Sequence, residues 1–219
     1  MEHLREELDE LNRQLLEMSS LVVDSITQSV NAAVNRDGDA ASTVFQNENQ
    51  INRLEIQIDN LAFQLLALQQ PVAVDLRFVT MSMKINNNLE RMGDIAVNIA
   101  QRALSLLSMG PMTPEVDIAY MAQIAQDMIT DSINAFIHRD PELAEAVLKS
   151  DDAVDNLRDR MYNDVLKFME ADPQMIHPGI DYIFIARGLE RLADHSTNIA
   201  EDVLFFVRGI DVRHHAAQI

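Results

Sequence analysis

The chain is 219 residues long, carries a formal net charge of −18, and has no cysteine and no tryptophan. Such a charge excludes nucleic acid as an electrostatic partner and excludes adhesion to anionic lipid, because phosphates would be repelled rather than neutralised. The missing cysteines exclude disulfides and thiolate metal sites, and no apolar run approaches the ~20 residues that cross a bilayer.

The opening, MEHLREELDE, places charge where a secretory signal needs an apolar centre, so a cytoplasmic location is expected. Gly and Pro are scarce, six of each, and strong helix formers dominate, which predicts an all-α protein. A first helix is expected over 3–36, closed by the polar turn Asn35-Arg36-Asp37-Gly38-Asp39. A second spans 39–70 and stops at Gln69-Gln70-Pro71; its apolar seam reads Ile51, Leu54, Ile58, Leu61, Leu65, Leu68. A third spans 74–108, with a seam of Ile85, Leu89, Met92, Ala96, Ile99, Ala103 and Leu106, and Gly110-Pro111 with Pro114 ends it. The fourth runs over 115–138 to the turn at His138-Arg139-Asp140-Pro141, and the fifth over 141–171. A break from Asp172-Pro173 through His177-Pro178-Gly179 precedes the sixth, 179–208, with a seam of Ile185, Leu189, Leu192, Ser196, Ile199, Val203 and Phe206. Steps of three and four along each seam mark helices that bury one stripe against neighbours.

The second half repeats the first. LERMGDIAVNIA at 89–100 returns as LERLADHSTNIA at 189–200, a shift of 100 (190 − 90). Ile51 and Leu54 return as Val154 and Leu157, and Arg36-Asp37 as Arg139-Asp140, a shift of 103 (154 − 51). A tandem helix–helix–helix unit is therefore expected, with residues 1–110 as the first repeat and 111–219 as the second, giving two pseudo-symmetric three-helix bundles.

The repeat carries polar pairs at spacing four, which share a helix face. They are Glu48 with Asn52, Glu90 with Asp94, Asp151 with Asp155, and Glu190 with Asp194. Helices joined by a short connection run antiparallel, so each unit brings its two pairs to similar heights. Oxygen donors without thiolate suit hard cations, Mg, Ca, Mn or iron, with zinc less natural. The competing reading is that these are solvated helix faces whose ion pairs with Arg53, Arg91 and Arg191 contribute little. The Glu-x-x-His spacing of di-iron carboxylate enzymes is absent, His195 beside Asp194 is a lone helical His, and His214 and His215 sit in a tail. There is no Gly-rich phosphate loop and no nucleophile elbow. The twelve methionines fall mostly at core spacing, where gap filling is their role.

LALQQPVAVDLRFV at 66–79, NNLERMGDIAVNIAQRAL at 87–104 and LERLADHSTNIAEDVLFFVRG at 189–209 resemble the PhoU family of phosphate-uptake regulatory proteins. The resemblance spans essentially the whole chain. It implies two similar three-helix bundles and a non-enzymatic adaptor that negatively regulates the phosphate-starvation regulon. The partners it implies are the ATPase subunit of the phosphate ABC transporter and a membrane sensor histidine kinase. It also implies metal ions at Asp/Glu-x-x-x-Asp motifs, matched here by Glu90 and Asp94, Asp151 and Asp155, and Glu190 and Asp194. At Glu48 and Asn52, asparagine replaces the family's aspartate. Homodimers fit long bundles with apolar ends. From net charge, the metal-free protein is expected to bind phosphate weakly or not at all.

Overall fold

A computed structural model describes residues 2–109 and 117–208. The expected repeat boundary at 110/111, the Gly110-Pro111 break and the histidines of the tail lie outside the described residues. Six α-helices are present among them: α1 Glu2–Asn35, α2 Gly38–Gln64, α3 Ala73–Leu107, α4 Ile118–His138, α5 Pro141–Ala171 and α6 Ile176–Arg208. No strand occurs among the described residues, and none of their helices is long and apolar enough to cross a membrane.

Helices α1, α2 and α3 form one bundle, and α4, α5 and α6 the other. The bundles join through α1 against α4 and α3 against α6, so α2 and α5 lie on the flanks. At 34 residues, α1 is about 51 Å long. A rod of that length is held by packing rather than by propensity, and Leu11, Leu15, Met18, Val22 and Ile26 of α1 are all fully buried. The expected α3 seam from Ile85 to Leu106 is buried throughout, as is the α6 seam from Ile185 to Val203. Residues 72–90 and 172–190 show the same sequence of buried, half-buried and exposed positions, one for one.

Sequence dictates the helix ends. Asp37, Asp117 and Asp140 each take the N-cap and accept two backbone N–H bonds, in α2, α4 and α5 respectively. Arg36 and Arg139, equivalent in the repeat, both adopt left-handed backbone, at φ 55° and 54°. Arg36 then reaches across to donate to the carbonyls of Leu106, Leu107 and Met109 at 2.5, 3.0 and 2.6 Å, supplying donors that the last turn of α3 lacks.

Two elements depart from the periodic reading. Helix α2 ends in a π-helical turn, Leu65–Gln69. The wider turn breaks the three-four seam, so Leu65 is fully buried while Leu68 is 75% exposed. Helix α6 begins at Ile176, earlier than expected, and runs straight through Pro178-Gly179. In a first turn the backbone N–H has no intrahelical partner, so proline there forfeits nothing. Gly179 is required by packing: a Cβ on it would sit 2.5 Å from Met169 Cε and 2.9 Å from Val165 Cγ1 on α5. Gly188 plays the same part between bundles, where a Cβ would come within 2.9 Å of Ile99 Cγ1 on α3.

Candidate functional site: paired acidic clusters and their counter-ions

In the second bundle, Asp151 and Asp155 on α5 face Glu190 and Asp194 on α6. Burial, and then the neighbouring carboxylates Asp155, Asp194, Asp152 and Glu190, push Asp151 up from 3.8 to about 6. Glu190 is raised by burial and by Asp194, although Arg158 partly offsets this. Asp194 is raised by burial and by Asp155. The four groups expected to meet therefore do feel one another. Arg158 stands among them: its Nη1 donates to Asp155 Oδ1 at 2.8 Å and to Glu190 Oε1 at 2.6 Å, tying α5 to α6. Its remaining nitrogens bond Asp159 at 3.0 and 2.9 Å.

The first bundle is arranged differently. Glu90 is raised by burial, then by Asp94 and by Glu55 on α2. Asn52 is exposed and Glu48 half-buried. Glu55 was missed by the pairwise reading, yet it continues the α2 stripe (48, 52, 55) at helical spacing. It is also the repeat equivalent of Arg158 (158 − 55 = 103). Where the second cluster carries its own guanidinium, the first carries another carboxylate. The nearby cation that lowers Glu90 is Arg91 of the same helix.

His195 does not join the acidic groups as a donor. It is half-buried between α3 and α6, with Nδ1 2.9 Å from Asn88 Oδ1, and burial followed by Arg191 and Arg91 lowers its pKa.

The donor set is chemically right for a hard cation: carboxylates crowded enough to raise one another's pKa values favour a positive charge among them. As they stand, no group of three or more Asp, Glu or His side chains among the described residues is gathered in a metal-holding arrangement. In the α5–α6 cluster Arg158 bonds both Asp155 and Glu190, so a cation bridging those two has to displace a guanidinium; at the equivalent place the α2–α3 cluster has Glu55 instead.

The pH dependence of stability follows from Asp151. Its folded pKa, about 6, lies above its unfolded value near 3.8, so the native state binds the proton more tightly. The associated stability is fully present below about pH 4 and is lost as pH rises through about 6. Asp151→Asn removes that slope and stabilises the metal-free protein near neutral pH by on the order of 1 kcal/mol, allowing for solvent screening. Chemical unfolding between pH 4 and 8 in chelator measures it; an undiminished slope in the variant would show that Asp151 is not strained by its neighbours.

Two three-helix bundles in tandem, each with acidic groups on its last two helices, define the class: a tandem three-helix-bundle protein. The chain belongs to the PhoU domain family, whose model matches residues 15–103 and again 118–203. A phosphate-specific transport system accessory protein PhoU homolog of Caulobacter vibrioides is 35% identical over 205 residues, covering 93% of this chain and 89% of that one. The corresponding homolog of Aquifex aeolicus is 36% identical, covering 96% of each chain. The crystal structure of PhoU from Pseudomonas aeruginosa superposes with a TM-score of 0.88 at 34% identity, over 94% of this chain and 99% of that one. The Streptococcus pneumoniae phosphate transport system regulatory protein PhoU gives 0.87 at 28% identity, over 95% and 99%.

Proposed function

We propose that this chain is a non-enzymatic accessory regulator of phosphate uptake. In this reading it restrains the high-affinity phosphate transporter and represses the phosphate-starvation regulon when phosphate is plentiful. It does so as a cytoplasmic adaptor between the transporter's ATPase subunit and a sensor histidine kinase, alone or as a homodimer. The observation that carries the reading is near full-length similarity to relatives named as phosphate-specific transport system accessory proteins. The absence of a nucleophile motif or Gly-rich loop in the sequence agrees with an adaptor.

Divalent or trivalent cations (Mg, Mn, iron or zinc) complete the docking surface in this proposal. The donors are Glu48, Asn52, Glu55, Glu90 and Asp94 in the first bundle, and Asp151, Asp155, Glu190 and Asp194 in the second. A bound cation supplies the positive charge that lets these faces approach an acidic or neutral partner. The raised pKa values of Asp151, Glu190, Asp194 and Glu90 support this. Arg158 favours a second reading for the α5–α6 cluster alone, as a face already compensated within the chain.

Deleting the gene should raise transcription of a phosphate-starvation reporter in phosphate-replete cells, and the wild-type gene should restore repression. A variant carrying Glu55→Gln, Glu90→Gln and Asp94→Asn should fold yet fail to restore it. A reporter unmoved by the deletion would refute the regulatory role; full repression by the variant would refute the part given to the first acidic face.

A further inference from the structure

The acidic surface is interrupted where α3 crosses α6. A cleft of about 390 Å³ there is lined by Ile95, Asn98, Ile99, Arg102, Phe184, Arg187, Gly188 and Arg191. Three of its lining residues are arginines and none is acidic, in a chain whose net charge is −18. Arg102 is held in place: Nη1 is 3.3 Å from Oδ1 of the buried Asp181, and the guanidinium lies 4.4 Å above the Phe184 ring. Arg187 and Arg191 are exposed and make no salt bridge among the described residues; on their other side they border a groove that also holds Asp159, Glu190 and Asp194, and Arg191 lowers the pKa of Asp194. Gly188 keeps the cleft floor low, since a side chain there would strike Ile99.

The internal repeat supplies a control. Shifting the lining by 100 residues gives six residues of the neighbouring cleft, Lys84, Asn87, Asn88, Arg91, Asn198 and Asp202, to which Glu201 is added. In that twin, Lys84 stands at the Phe184 position and Asp202 at the Arg102 position, and the two pair at 3.1 Å. Asn87 takes the place of Arg187. The twin is thus neutralised from within, by two acids against two cations. The first cleft has no acid in its lining, and of its three arginines Arg102 is paired, with Asp181 behind it. One anchored and two exposed arginines bring three guanidiniums to one cleft. That arrangement matches the oxygens of a phosphate group better than a single carboxylate.

We infer that the Arg102–Arg187–Arg191 cleft between α3 and α6 binds a small phosphate-bearing anion. Its volume exceeds that of one phosphate group, which favours pyrophosphate or a phosphate ester over the inorganic ion. The expectation of weak phosphate binding, drawn from net charge, treats the surface as uniform; the lining of this cleft holds three arginines and no acid. The site does not rest on the regulatory reading and needs no bound metal, because its charge comes from the chain, although Arg187 and Arg191 also border the groove of Glu190 and Asp194.

Calorimetry in chelator at low salt, with inorganic phosphate, pyrophosphate and glucose 6-phosphate as probes, tests it. At least one probe binds, most tightly pyrophosphate or the ester, and added salt weakens binding. Arg187→Ala and Arg191→Ala each reduce affinity about tenfold or more, a change of about 1.4 kcal/mol, with helicity unchanged. Lys84→Ala in the twin cleft leaves affinity within about twofold, and Arg187→Lys, which keeps the charge without the fork, falls between. No binding of any probe, undiminished affinity in both arginine variants, or an equal loss in Lys84→Ala would overturn the proposal.

Discussion

Replacing Arg158 with methionine is expected to lower the stability of the metal-free protein by about 2 kcal/mol near neutral pH, between the values for an exposed and a fully buried pair. The Arg158 side chain is 21% exposed and Glu190 18%, while Asp155 is 46% exposed, so the bridge is only partly shielded from water. Methionine retains the apolar stem and removes the charge. Asp155 and Glu190 then lose the guanidinium that bonds them, and protonation of Glu190 and Asp194, which Arg158 otherwise opposes, becomes more favourable. The loss should therefore shrink as pH falls toward 5, because the carboxyls that Arg158 serves take up protons instead. Denaturant titrations at two pH values check this. A loss that is the same at both would mean that Arg158 stabilises by packing and not by charge.

Divalent cations should act in the same place. A cation that binds the native protein only, at a hundred times its dissociation constant, adds about 2.7 kcal/mol of stability. In the Arg158→Met protein the added cation no longer competes with the guanidinium that bonds Asp155 and Glu190, so the increment should be larger than in wild type and should recover most of the substitution's cost. In a variant with Asp151, Asp155, Glu190 and Asp194 all changed to Ala, the increment at the second cluster disappears. Thermal unfolding with and without Mn²⁺ reads each effect. An equal Mn²⁺ increment in all three proteins would place the ion elsewhere.

Periodicity made the helices legible, because a buried stripe of Leu, Ile, Met and Ala leaves the same three-four rhythm wherever it packs. The 100-residue echo made the two bundles legible as well, and identical burial along 72–90 and 172–190 is its structural counterpart. Periodicity says which face is covered, not what covers it. That is why the crossing of α3 on α6, and with it the arginine cleft, was invisible: Arg102 and Arg187 are 85 positions apart (187 − 102) and meet only through inter-bundle packing. Leu68 was assigned to the core because a π turn leaves no mark on composition. Pro178-Gly179 reads as a break because that pair usually ends a helix, whereas here it opens one against Met169 and Val165. The acidic groups were legible as pairs, but their balance was not. The exchange of Arg158 for Glu55 lay in the repeat itself, one turn beyond the Asn52 that drew attention, and only the facing helix gives it meaning.

In the proposed function, cations are held between facing carboxylates of α2 and α3, and of α5 and α6. Elemental analysis of untagged protein, purified and then dialysed against trace Mn²⁺ and Mg²⁺, measures this directly. Stoichiometric metal is expected in wild type. It should fall in steps when Glu55, Glu90 and Asp94 are neutralised and when Asp151, Asp155, Glu190 and Asp194 are changed to Ala. Metal content at background in the wild type, or unaltered when both clusters are removed, would contradict it.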